Sequence, residues 1–326
     1  MSDQRLPTAK SDQNYVELSM FSGGFITLPE KSFVFPSDAD AKRQVPSMAF
    51  LITHPGLMST STRREKPIRI MFDMGLRSDI MRYTGNQRAH FQNRIPYSLG
   101  RSIASQLQQE GLNPTTDIDM IILSHVHYDH HGDPQDFVGA KFIVGSGSCG
   151  VLKNGLTGAG SHQHFQSDLL PPDRTFELPS TNDPHGSFPS PLPGAEVKGR
   201  WSPLGPFPSA MDLIGDGSIY IVDSPGHLPG HLNLLCRVGS RSWIYLGGDS
   251  CHDIRLLTGE KEISTWDDGD GNVLCIHLDR VSAKETIDRI AQLSKIPDHD
   301  VQIIMAHDWL WYEKNKHAGF PGRIPV

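Results

Sequence analysis

At 326 residues with 37% apolar side chains, the chain can bury a substantial core, and its length alone allows one domain or two. A net charge of −7 without a run of basic residues argues against a nucleic-acid surface. The polar stretch 1–15 lacks the apolar core of a signal peptide, and no later segment approaches the roughly 20 apolar residues that span a bilayer, so a cytoplasmic protein without membrane contact is expected. Four cysteines, Cys149, Cys236, Cys251 and Cys275, form no CxxC pair, which predicts reduced thiols.

In chain order, apolar runs predict strands around Ala49–Thr53 and Ile68–Phe72, with Asp73 at the strand-to-loop junction that follows. The segment 99–110 carries Ile103, Ala104 and Leu107 at helical spacing and stops at Gly111, which predicts a helix. The run Met120–Leu123 then predicts a buried strand that delivers His125, His127, Tyr128, Asp129, His130, His131 and Asp133 into one loop. In an extended segment His125 and His127 point to the same side, and Asp129 and His130 follow where the chain turns. One strand end can therefore supply two adjacent metal sites.

Between Gly155 and Asp212 the regular pattern gives way to loops, with ten prolines from Pro171 to Pro208. So long a connection without regular structure needs a job, and about 155–212 is expected to be a Pro/Gly-rich, substrate-facing insertion. Its apolar members Leu169, Phe188, Trp201, Leu204 and Phe207 either wall a pocket or pin the loop to the core. His162 and His164 within it are spaced like ligands, although a solvated pair is the simpler expectation.

Three further β-rich runs end in candidate ligands. Ser218–Val222 leads into His227 and His231, Trp243–Leu246 into Asp249, and Val301–Met305 into His307. Before the last of these, Ser282-Ala283-Lys284-Glu285 reads as a capping box opening a helix with Ile287, Ile290 and Leu293 on one face, closed by Pro297. Strands ending on one edge of a sheet present their loops together, so these distant groups can converge.

These motifs resemble those of the metallo-β-lactamase superfamily: HxHxDH, a later PGH, a Gly-Asp after a strand and a last strand-end His, a match that covers most of the chain. The resemblance implies an α/β fold, a four-layer αββα sandwich of two mixed sheets, as a single domain over 1–326. It implies one metal held by His125, His127 and His227, a second held by Asp129, His130 and His307, and Asp249 as the bridge, with His231 the competitor of His227. Five imidazoles and two carboxylates without a thiolate suit two Zn2+ best, with iron or manganese left open. Cys251, two residues past Asp249, is read as a packed residue. Asp73 either orients a ligand histidine, like the family's early Asp, or merely forms the turn before Gly75.

The implied activity is hydrolysis of a small cyclic ester or amide, a lactone or lactam that includes benzoxazolinone-like rings, by a hydroxide bridging the metals, with Asp129 handling a proton. The Pro-Gly-His-Leu-Pro-Gly-His run, Asp249 and the short chain beyond His307 are similar to the N-acyl-homoserine lactonases and to fungal lactone and lactam hydrolases. Bacterial lactonases carry Tyr three residues after the bridging Asp, where this chain has His252, so assistance to the carbonyl falls to His252 or Tyr128. The alternative is a thioesterase of the glyoxalase II or acyl-carrier type. A small cyclic molecule is the expected partner, and a homodimer is left open.

Overall fold

Alternation of apolar residues along short strands builds two six-stranded sheets in the computed structural model, which describes residues 5–56, 66–156, 164–183, 185–192 and 198–325. The first sheet runs in spatial order β1 (Glu17–Pro29), β2 (Lys42–His54), β3 (Ile68–Phe72), β4 (Met120–Ile122), β5 (Lys141–Val144) and β6 (Thr175–Glu177). β1 to β3 form an antiparallel meander, and β3 to β6 are parallel. Parallel neighbours need crossovers. These contain α1 (Gly85–Phe91) and α2 (Ile103–Gln109) before β4, and α3 (Ser148–Asn154) after β5.

The second sheet runs β7 (Ser202–Leu204), β8 (Phe207–Asp212), β9 (Ile219–Asp223), β10 (Leu232–Arg237), β11 (Ser242–Leu246) and β12 (Asp300–Ile304). Its first five strands are antiparallel neighbours. The last joins β11 in parallel after a crossover that contains α4 (Ile254–Thr258) and α5 (Arg280–Leu293).

The period of two assigns each strand residue to a layer. Ile52, Ile70 and Ile122 of the first sheet pack against Ile221, Leu234 and Ile244 of the second. Their neighbours Leu51, Met71 and Ile121 face the other way and meet Ile103 and Leu107 of α2. On the far side, Leu235, Trp243 and Tyr245 meet Ile287 and Ile290 of α5. Each such side chain contributes roughly 1.5–3 kcal/mol on burial. Together these layers form the αββα sandwich of the α/β class. Among the described residues no helix is long and apolar enough to cross a membrane.

Local signals were misread at three places. The helix of 99–110 begins only at Ile103, because Gly100 sits at φ 66° and the Ser102 hydroxyl caps the first turn by accepting from Ser105 N–H. The helix assigned to the Ser282 box starts at Arg280, where Asp279 accepts from the backbone N–H groups of Val281 and Ser282, so Ser282 lies inside the first turn. The region 155–212 is not all loop: β6 is the edge of the first sheet, and the β7–β8 hairpin is the edge of the second. Its apolar residues Leu169, Phe188, Leu204 and Phe207 are buried in the core clusters, and Trp201 packs partly against them. They pin this region down. His162 lies outside the described residues.

Candidate metal centre

Strand direction explains why the candidate ligands meet. β9 and β11 are each antiparallel to β10 and so run the same way, and β12 is parallel to β11, so His227, Asp249 and His307 all follow one edge of the second sheet. β3 and β4 are likewise parallel and deliver Asp73 and the segment 125–130. Gly248, at φ 48°, permits the close approach: a Cβ there would lie 2.8 Å from Ser124 Cβ and 3.0 Å from His231 Nε2.

Two groups of donor atoms that include a carboxylate result, beside a third made of His227, His252 and His277 alone. His125, His127, His227 and Asp249 form one, and Asp129, His130 and His307 form the other, each with donor atoms within 4.8 Å of one another. In the first, His127 Nδ1 lies 2.8 Å from His125 Nε2 and 3.1 Å from His227 Nε2. Asp249 stands between the groups. Its Oδ2 is 3.8 Å from His125 Nε2 and 3.5 Å from His227 Nε2, while Oδ1 is 3.1 Å from His130 Nε2 and 3.3 Å from His307 Nε2. Asp129 reaches His307 Nε2 through Oδ2 at 3.5 Å.

His231, the competing histidine, stands outside both groups: its Nε2 accepts from Asp249 N–H at 3.0 Å, and burial pushes its pKa down to about 3. Cys251 is buried and donates its thiol to the Asp253 carbonyl. His131 is also spoken for, with Nδ1 2.8 Å from the Gly132 carbonyl oxygen. Asp133 caps a short turn and pairs with Arg82 at 2.6 Å.

Asp73 fixes ring orientation from beneath. Its Oδ1 accepts from Ser124 N–H at 2.7 Å, and its Oδ2 accepts from the Ser124 hydroxyl at 2.7 Å and lies 2.9 Å from His130 Nδ1. The Ser124 hydroxyl in turn lies 3.0 Å from His125 Nδ1. One carboxylate thus orients a histidine of each group, leaving both Nε2 atoms aimed at Asp249. Asp73 does so from an unusual backbone, at φ 60°.

The electrostatics divide along the same line. Burial, then neighbouring imidazoles, hold His125 and His227 well below the usual histidine pKa. Burial is the largest single influence on His130 and His307 too and acts the same way, but Asp249 and Asp129, joined at His130 by Asp73, together outweigh it, raising His130 well above the usual value and pushing His307 up to about 10. Burial opposes ionisation of Asp129 and Asp249 too, yet His130 and His307 hold both carboxyls below their ordinary range. Buried anions so collected need cations. His130 Nε2 and Asp249 Oδ1, though 3.1 Å apart, are buried without hydrogen-bond geometry to each other or to another described group, as atoms meant to coordinate would be. The donor set therefore fits divalent metal ions.

A cavity of about 30 Å³ opens onto these groups, lined by Asp129, Asp249, His252, Tyr128, Arg94 and Ile276 among others. His252 Nε2 lies 3.0 Å from Asp249 Oδ2, and its ring leans on Phe33 with centroids 5.0 Å apart. Burial first and Asp129 second push the Tyr128 phenol well above its ordinary pKa. Beyond His252 and His307 lies an adjoining cavity of about 200 Å³, walled by Val45, Ile254, Trp309 and Leu310. Ser124, Phe33 and Arg94 belong to no motif and were not singled out from the sequence. The only available signal for Ser124 was its place directly before His125. The insertion reaches the site through Phe165, whose ring stacks on His127 with centroids 5.7 Å apart.

No family model matches the chain. It is 28% identical over 277 residues to the cytochrome P450 monooxygenase mpaDE' of Penicillium brevicompactum, a match that takes in 78% of this chain but only 30% of that protein. It is 31% identical over 192 residues to the gamma-lactamase MBL2 of Gibberella moniliformis, covering 56% of this chain and 70% of that one. A solved N-acyl homoserine lactone lactonase has the same fold, with a TM-score of 0.61 over 98% of this chain and 100% of that one at 17% identity. The gamma-lactamase match, the shared fold and the two histidine-carboxylate groups agree that this chain belongs to the metallo-β-lactamase superfamily, in its lactonase-like branch.

Proposed function

We propose that the chain is a dinuclear metal-dependent hydrolase that opens a small cyclic ester or amide, a lactone or lactam. The observation that carries this reading is the Asp249 carboxylate, which turns one oxygen to His125 and His227 and the other to His130 and His307. His125, His127 and His227 would hold one ion, Asp129, His130 and His307 the other, with Asp249 shared. Imidazole and carboxylate donors without thiolate suit Zn2+. The similarity to a gamma-lactamase and the fold shared with a homoserine lactone lactonase support ring opening as the reaction class. All these residues, from His125 to His307, would act within one domain.

Bound there, the ions would acidify a water and polarise the scissile carbonyl. The chain's own side chains supply the rest. Asp129, beside the cavity, would be the group to take up the proton of such a water. The Tyr128 phenol stays protonated because of its burial and can donate a hydrogen bond to the carbonyl oxygen. His252, held between Asp249 and Phe33, is placed to protonate the departing ring atom. The adjoining cavity gives the body of a small substrate somewhere to lie.

A pH-monitored screen of lactones, lactams and thioesters with the zinc-loaded protein tests this, because each hydrolysis releases acid. Turnover of a lactone or lactam is expected, abolished by chelation and restored by zinc. Turnover of thioesters alone would replace ring opening with thioester hydrolysis on the same centre. Undiminished turnover by metal-free protein would defeat the metal assignment.

A further inference from the structure

Arginines beside the other cavities of this protein are neutralised by carboxylates. Arg43 and Arg255 pair with Glu30, at 3.3 Å and 3.2 Å, and Arg255 also pairs with Asp253 at 2.6 Å. Arg77 and Arg82 share Asp133. Arg94, which lines the cavity over the metal groups, is different. Among the described residues no carboxylate lies within ion-pair distance of it, and its Nε is buried without a hydrogen-bond partner. Among the described residues, its one hydrogen bond to a backbone acceptor is a long one, 3.4 Å from Nη1 to the Asn93 carbonyl.

The guanidinium is nevertheless held in place. Arg94 ends a short turn, Gln92–Arg94, that continues directly from α1. The Phe91 ring just before that turn is fully buried, with its centroid 4.9 Å from that of Tyr128 and 4.9 Å from that of Tyr97. Arg94 faces the Tyr128 hydroxyl and His164, neither of which carries a negative charge at neutral pH. An always-charged planar fork with a buried unused donor, fixed at the edge of a reaction cavity, is an anion receptor in want of its anion.

We propose that Arg94 is a specificity-determining residue that binds a carboxylate on the substrate, so that the preferred ring bears an acidic group remote from the bond that is cleaved. The proposal rests on the hydrolase reading for the word substrate, but the binding it predicts does not depend on turnover. The probe pair is benzoate and benzamide, measured by calorimetry on zinc-loaded wild type, Arg94→Ala and Arg94→Lys. Charge-assisted hydrogen bonds of this kind lead us to expect benzoate binding to weaken by about tenfold to a hundredfold in Arg94→Ala, with benzamide binding changing by less than about twofold. Arg94→Lys, which keeps the charge without the fork, should lie between, and it carries the test should Arg94→Ala fail to fold.

Equal benzoate affinity in wild type and the folded variants would overturn the proposal, the anion then being held by metal alone. With 5-carboxyphthalide and its methyl ester as substrates, the acid-to-ester ratio of kcat/KM should fall at least tenfold in Arg94→Ala, mainly through KM. An unchanged ratio would also overturn it. If wild type hydrolyses neither compound nor any ring in the screen, the hydrolase reading fails while the benzoate comparison still decides for or against Arg94.

Discussion

Asp73→Asn tests the metal centre without touching a donor atom. With a metal ion on His130 Nε2, the ring's one proton would sit on Nδ1 and be donated to Asp73 Oδ2 at 2.9 Å. The same oxygen accepts from the Ser124 hydroxyl, which in turn accepts from His125 Nδ1–H. An asparagine that keeps its oxygen toward Ser124 N–H must turn its NH2 toward His130, setting donor against donor and favouring the tautomer with the proton on Nε2. The opposite rotamer gives up the Ser124 N–H instead. Asparagine tolerates φ near 60° as well as aspartate does, so backbone strain is held constant.

Loss of such an orienting partner costs about tenfold to a hundredfold in metal affinity, or about 1.4–2.7 kcal/mol. Because the network reaches both His130 and His125, both zinc affinities should fall. Ser124→Ala should weaken chiefly the His125 group. Competition titrations against a chromophoric chelator read both constants. Two zinc affinities within threefold of wild type in a folded Asp73→Asn protein would refute the reasoning.

His252→Ala should retain its zinc, assayed by atomic emission, while kcat on the best ring substrate falls by about a hundredfold, the scale of a lost general acid; an unchanged kcat would remove His252 from the chemistry. Asp223, at the end of β9, has its pKa pushed up to about 6 by burial, with Arg289 pulling the other way. A raised carboxyl favours the fold while protonated, below the ordinary value of 3.8, and that advantage is lost as pH rises through about 6. Asp223→Asn should therefore stabilise the protein at pH 8 by about 1–2 kcal/mol and leave it unchanged near pH 3.5, as melting at the two pH values would show. Gly226→Ala should destabilise by about 2–4 kcal/mol and disturb the first metal group, since Gly226 sits at φ 130° and a Cβ would fall 2.3 Å from Ala283 N in the first turn of α5. Denaturant midpoints and zinc titration check both parts.

The fold was legible where hydrophobic runs ended in chemistry and illegible where they did not. β4, β9, β11 and β12 are short, apolar and followed by His or Asp, so their positions and their common edge could be anticipated. The long β1–β2 ribbon was reduced to a fragment, because Lys42, Arg43, Gln44 and Pro46 break the apolar pattern of β2 although pairing with β1 runs the length of the strand. The region 155–212 misled for the opposite reason: proline suppresses strand signals, yet prolines on a sheet edge cost no ladder hydrogen bond, and Pro203 and Pro208 both lie in the edge hairpin.

At the site, the same distinction separates metal chemistry from specificity. Donor residues recur at fixed offsets from strand ends, because coordination demands particular atoms in particular directions. The residues that surround the substrate's position obey no such spacing. Ile26, Leu28, Phe33, Arg94 and Ile276 come from β1 with the turn beyond it, the turn that follows α1 and the segment before α5, and none of them supplies a donor atom. A wall drawn from three separate stretches has no motif to betray it. On the proposed hydrolase reading, the choice of ring would be governed by side chains that only the folded arrangement brings together, and Arg94, the one fixed positive charge among these five, would have the largest leverage on it.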